Sequence, residues 1–285
     1  MRKDLDEMYR LGLYGNGIER IKLKKAVQTI QRASQVKIVD IGHDNFDSAC
    51  DALELGSVDM AVVDMTQLIR MQKNDEDLPY GVVISGVLKR GDSRYVMIRK
   101  RHAKDLIENA VVATDSYSKT ERIKHMYDGV SCIVETDIRK CIEKLDAAEC
   151  DAVFVLLEDI KAARLYNGFL YKYTIMDYGE CVPVHGEGVY AMLTKGKKEA
   201  VRTARELSHK STAECFEIED DIINRVMQNV YVKTCDVYAR ISSDKLEIYA
   251  DVTGNRGRIR VNEKGTFVNK NLIITKLVDR ISKSM

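Results

Sequence analysis

The feature that most restricts this fold is a recurring rhythm of short apolar runs separated by amphipathic stretches. Residues 9–13 lead into Gly15-Asn16-Gly17, a strand leaving a turn. From 18 to 33 the apolar residues Ile18, Ile21, Leu23, Ala26, Val27 and Ile30 recur near a 3.6 period, which predicts a helix. A strand over 36–41, a helix over 47–55, the turn Gly56-Ser57 and a buried strand over 60–63 continue the series. Strands alternating with helices pair in parallel, because each connection crosses over the sheet.

The same grammar returns further on. A strand over 81–88 precedes the polar crossover Lys89-Arg90-Gly91-Asp92-Ser93-Arg94. Strands at 95–98, 110–114, 131–134 and 151–157 then alternate with helices at 118–127, 137–146 and 158–165. Residues 173–193 read as strand, turn and strand returning towards the first unit. Helical periodicity over 197–227 is broken near Ser208-His209-Lys210-Ser211, with His209 at or near a cap. Three strands (230–241, 246–252 and 258–261) form an antiparallel meander before a terminal helix over 271–282. The expectation is an α/β protein. Its first lobe is 1–90 with 190–215, its second lobe 91–189, and a small α+β domain occupies 216–285.

With 45 Lys+Arg against 44 Asp+Glu, no global field exists to attract nucleic acid or an anionic membrane. No apolar run spans a bilayer and the first ten residues lack the pattern of a signal peptide, so a cytoplasmic location is expected. The seven cysteines show no CxxC spacing and the five histidines no HxxxH or HxH, so reduced thiols and no metal are expected.

Paired α/β lobes bind ligands at the carboxyl ends of their strands, in the cleft between them. Candidates there are Tyr14 and Asn16, the stretch from Asp64 to Gln67, and Thr114, Ser116, Ser118 and Lys119, whose hydroxyls, helix-start N–H groups and cation suit a carboxylate or phosphate. The alternative is that Ser116 or Ser118 only caps the helix. His185-Gly186-Glu187-Gly188 offers an acid or base beside flexible backbone, or glycines that simply allow close packing. For the cysteines, Cys235 included, buried structural thiols are the plain reading.

Four strings, in order, resemble the hydroxymethylbilane synthase (porphobilinogen deaminase) family. Residues 52–62 (ALELGSVDMAV) resemble its "ALLEGRADIAV", and residues 144–165 its "KLDxGEYDAIILAxAGLKRL". Residues 183–189 (PVHGEGV) resemble "PAVGQGA", and the helix from His209 its "NHxETxxxVxAER". The resemblance implies two lobes like type 2 periplasmic binding proteins plus a third domain. It implies a dipyrromethane cofactor on a cysteine, and assembly of four porphobilinogen units with loss of ammonia.

The departures fall on the chemistry. Gln67 stands where the family's "HSMKDVP" carries its catalytic aspartate, with Asp64 three residues earlier and Glu187 a further weak candidate. Ser118 and Lys119 stand at the paired arginines of "SSLRRQ", leaving one cation. The "RGNVGTR" arginines fall near Glu135 and Cys141, and Tyr14 and Asn16 replace the first-strand arginine and serine. The cofactor cysteine lands in 227–232, which has none, so Cys235 is the nearest thiol. The long loop after the second strand is cut to about 43–46.

Three readings follow. One is noncovalent binding of a small anionic, pyrrole or tetrapyrrole-like ligand in the cleft, with no catalytic residue retained. A second is an active divergent synthase using Cys235. The third is a regulatory or scaffold subunit with a protein partner.

Overall fold

The computed structural model describes residues 9–15, 17–31, 37–39, 46–103, 109–196 and 198–285. Its contacts define two units, residues 1–91 with 184–285, and residues 92–183. The first begins with β1 (Arg10–Leu13), α1 (Gly17–Gln31), β2 (Lys37–Val39), α2 (Phe46–Glu54), β3 (Met60–Asp64), α3 (Met65–Lys73) and β4 (Val82–Val87). The second holds β5 (Tyr95–Lys100), β6 (Val111–Thr114), α4 (Tyr117–Met126), β7 (Ser131–Val134), α5 (Ile138–Asp146), β8 (Ala152–Leu156), α6 (Leu157–Ala162) and β9 (Tyr171–Ile175). The chain returns to the first unit as β10 (Tyr190–Lys195), α7 (Lys198–Leu207), α8 (Lys210–Met227), β11 (Val232–Ser242), β12 (Lys245–Gly254), β13 (Gly257–Thr266) and α9 (Lys270–Ser284).

β1 pairs in parallel with both β2 and β3, as the crossover grammar requires. The return strand β10 then inserts antiparallel between β3 and β4, giving the order β2-β1-β3-β10-β4. Alternation divides this sheet between two cores. Leu11, Leu13, Met60, Val62 and Met192 pack with α1 residues Leu23 and Val27, while Ala61, Val63, Ala191 and Leu193 pack with α2. In α2 the buried Phe46, Ala49, Cys50 and Leu53 follow helical spacing, and each large apolar side chain so buried contributes about 1.5–3 kcal/mol.

The sheet of the second unit has the order β7-β6-β8-β5-β9. β6, β7 and β8 are parallel, while β5 runs antiparallel to β8 and β9. All five residues of β8 are buried, as befits its central place. The meander β11-β12-β13 is antiparallel throughout, and α8 and α9 cover it with a core that includes Ile222, Leu246, Ile248, Val252, Leu277 and Ile281. Ser243 and Gly257 take positive φ at its turns. The class is thus α/β with an added α+β element, and among the described residues no helix is long and apolar enough to cross a membrane.

The clearest difference from the sequence reading is α3, where a strand end or turn was expected. Asp64 caps it, its Oδ1 accepting from the Thr66 N–H at 2.7 Å and the Thr66 hydroxyl at 2.6 Å.

Candidate functional site

At the strand ends of the first unit, Tyr14 is buried among α2 residues with its hydroxyl lacking a hydrogen-bond partner. Burial, then the nearby Cys50 and Asp51, pushes its pKa up to about 12. Asn16 lies outside the described residues. Asp64 spends one carboxylate oxygen on the α3 cap, and Gln67 sits half-buried in the first turn of that helix. Asp64-Met65-Thr66-Gln67 is a D-x-x-Q capping signature, and that signal would have exposed the helix from sequence.

The 183–189 motif closes against this helix. Met65 N–H donates to the Val189 carbonyl at 2.9 Å, and Gly186 takes φ +80° with an added Cβ falling 2.6 Å from Ile69 Cδ1. Glycine is needed here for both conformation and space. Glu187 is half-buried in the tight turn that follows.

His185 lies at the centre of a charged cluster that sequence reasoning did not assemble. Its ring is buried, stacks on Phe216 at 4.8 Å between centroids, and its Nε2 is 2.8 Å from Asp220 Oδ1. Its Nδ1 is 3.5 Å from Glu219 Oε2. Burial pulls the His185 pKa down, but the hydrogen bonds and charges of Asp220 and Glu219 more than offset this, and the net direction is up.

Glu219 is fully buried, and Arg90 holds it with two bonds of 2.6 and 2.8 Å while the Ala239 N–H donates to it at 2.7 Å. Burial alone would raise the Glu219 pKa; the Arg90 charge and hydrogen bonds bring it below the ordinary carboxylate value. The guanidinium also lies over the Tyr238 ring at 4.9 Å. The cluster therefore ties residues 89–91, the 183–189 motif, α8 and β11 together by the buried Arg90–Glu219 pair, with the half-exposed Asp220 at its edge. Its signal in the sequence is Glu219 on the apolar stripe Cys215, Ile218, Ile222, Val226 of α8, a position where a carboxylate has to be paired.

In the second unit β6 ends at Thr114, fully buried with its hydroxyl lacking a hydrogen-bond partner. Ser116 occupies the N-cap position of α4 but makes no capping bond; its hydroxyl is 3.2 Å from that of the exposed Ser118. Thr120 buries a second unpartnered hydroxyl. Lys119 is buried, and its Nζ bonds both oxygens of Asp115 at 2.6 and 2.7 Å. The cation that would receive an anion is thus already neutralised within its own helix start, leaving hydroxyls and N–H groups.

Cys235 sits within β11 opposite Val252, half-buried against the core of the three-stranded sheet. Burial, then Asp236 and Asp251, pushes its thiol up to about 12. Cys50 and Cys215 are raised to about 11 and Cys141 to about 12, each chiefly by burial. Among the described residues no group of three or more His, Cys, Asp and Glu is arranged to hold a metal.

A family model described as "Porphobilinogen deaminase, dipyromethane cofactor binding domain" matches residues 16–203. That match ends before Cys235. A porphobilinogen deaminase of Chlorobium luteolum is 24% identical over 192 residues, covering 66% of this chain and 60% of the relative. A probable porphobilinogen deaminase of Picrophilus torridus is 22% identical over 256 residues, covering 82% of this chain and 88% of the relative. The chain thus spans about 60% of the length of the Chlorobium relative. Among solved structures, the periplasmic aliphatic sulphonate binding protein SsuA of Escherichia coli is similar with a TM-score of 0.44 at 15% identity, over 78% of this chain and 75% of that one.

Proposed function

The chain belongs to the porphobilinogen deaminase family, and on that premise we propose that it binds a small pyrrole or tetrapyrrole carboxylate noncovalently instead of polymerising porphobilinogen. The observation that carries this reading is the state of Cys235. A primer-bearing cysteine has to be an accessible thiolate on a chain segment free to move with its growing product. Cys235 is instead fixed by strand pairing, packed against an apolar core, and holds its proton to about pH 12. These surroundings do not suit covalent dipyrromethane.

The remaining positions agree. Gln67 carries no charge with which to stabilise a pyrrole cation, and Asp64 is committed to a helix cap. At the start of α4, Ser116, Ser118 and the helix N–H groups are the donors left for a ligand carboxylate, with the buried Thr114 and Thr120 hydroxyls behind them. Calorimetric titration with porphobilinogen tests this. Saturable binding, with the pyrrole recovered intact and weakened by S116A/S118A, supports the reading; absence of binding, or ammonia release at a steady rate, contradicts it.

A partner-binding role is the second reading, and an exposed apolar patch favours it. Phe169 is 91% exposed, beside exposed Tyr166 and Leu170, just ahead of the sheet-edge strand β9. Retention of an unidentified protein that is lost in F169S would favour this role.

A further inference from the structure

Beside α3 lies a cavity of about 530 Å³, within the size range of small-molecule sites. Its apolar wall is built from Met65, Leu68, Met71 and Phe216, and thioethers of this kind adapt to the shape of whatever they contact. Every charged residue in its polar wall is acidic: Glu76, Asp77 and Asp220 line it beside the neutral Gln72 and Tyr80, and among the described lining residues there is no Lys or Arg.

The three carboxylates are not equivalent. Asp220 faces His185 Nε2 at 2.8 Å and so carries its own countercharge. Glu76 and Asp77 are exposed and have no countercharge among the described residues. They lie just past the C-terminus of α3, where the N–H groups of Asn74, Asp75 and Glu76 satisfy the Arg70, Met71 and Gln72 carbonyls and the helix presents its negative dipole end. The Glu76 N–H bonds the Met71 carbonyl at 3.0 Å and Asp75 takes φ +56°, so the turn fixes the backbone of residues 75 and 76 at the helix end. Arg70 and Lys73, in the last turn of α3, are not part of the cavity wall. The Phe216 ring, one face of which stacks on His185, completes the apolar end.

We propose that this cavity binds a small organic cation with an apolar body, an alkyl- or arylammonium. Its apolar part fills the space between the methionines and Phe216, and its charge lies at Glu76, Asp77 and the helix C-terminus. The cavity shares no residue with the α4 start, and the inference does not depend on the pyrrole-binding reading.

Benzyltrimethylammonium is a suitable probe, titrated into the full chain carrying ¹³C-methyl methionine. The expected result is saturable movement of the Met65 and Met71 methyl signals. Phenylacetate, of similar size and opposite charge, binds at least about tenfold more weakly. E76Q/D77N, which alters exposed side chains only, lowers affinity for the cation by about tenfold or more. No saturable shift, equal binding of phenylacetate, shifts confined to other methionines, or unchanged affinity in the double variant would each overturn the proposal.

Discussion

Replacing Arg90 by Met removes one half of a fully desolvated ion pair while keeping the volume of the side chain. Glu219 has no exposure to water, so its carboxylate would be left with the Ala239 N–H at 2.7 Å and with His185 at 3.5 Å. Breaking a buried pair from one side costs about 3–5 kcal/mol. At about 2–4 °C per kcal/mol for a unit of this size, the unfolding midpoint should fall by about 10 °C. R90M/E219Q keeps an acceptor for Ala239 without the charge, so it should be less destabilised than R90M alone, with a coupling of about 2 kcal/mol. R240M provides the control, because the exposed Arg240–Glu247 pair should be worth less than about 1 kcal/mol. Calorimetry on R90M, E219Q, R90M/E219Q, R240M and the parent chain decides the matter. A cost below about 1 kcal/mol for R90M, or simple additivity in the double variant, would refute the assignment of Arg90–Glu219 as the charged core of the first unit.

His185 supplies a pH-dependent companion to that result. Its folded pKa stands above the ordinary 6.5, so its stabilisation is complete below that value and is lost as pH rises through the folded pKa. The stability difference between the parent and H185Q should therefore shrink from pH 6 to pH 9, and a difference that grows with pH contradicts the cluster. For the same reason R90M should cost more at pH 9, where no imidazolium faces Glu219. Cys235, with its thiol pushed up to about 12, should react with iodoacetamide at pH 7 about a hundredfold more slowly than free cysteine, the lower thiolate fraction being partly offset by its greater nucleophilicity, and a rate within tenfold of free cysteine contradicts its placement. G186A places a side chain at φ +80° and 2.6 Å from Ile69 Cδ1, for a loss of about 1–3 kcal/mol in denaturant unfolding; an unchanged midpoint would mean the turn is not under this constraint.

The central strands β3, β5 and β8 were legible because they bury on both faces, and helices such as α2 and α5 because they bury one face each, so periodicity marks both. The order of β10 was not, since nothing local in 190–195 tells a strand whether it joins an edge or inserts between β3 and β4. α3 escaped because β3 runs straight into it, without the glycine or proline that usually separates elements. Only the Asp64 to Gln67 cap signature marks the change. At the candidate site the residue types were readable and their commitments were not. Lys119 reads as a free cation until Asp115 is placed on its Nζ, and His185 as a lone histidine until α8 brings Glu219 and Asp220 to it. Those partners lie 4, 34 and 35 residues away, and only the first is within reach of a local pattern.

The central claim is that the family scaffold here operates without covalent pyrrole chemistry. The most direct measurement is the intact mass of the protein as purified and again after incubation with porphobilinogen, with peptide mapping across Cys235. The account predicts the mass of the unmodified chain in both samples. Additions in whole pyrrole units, mapping to Cys235 or to any other side chain, would contradict it and return the protein to the polymerising enzymes of its family.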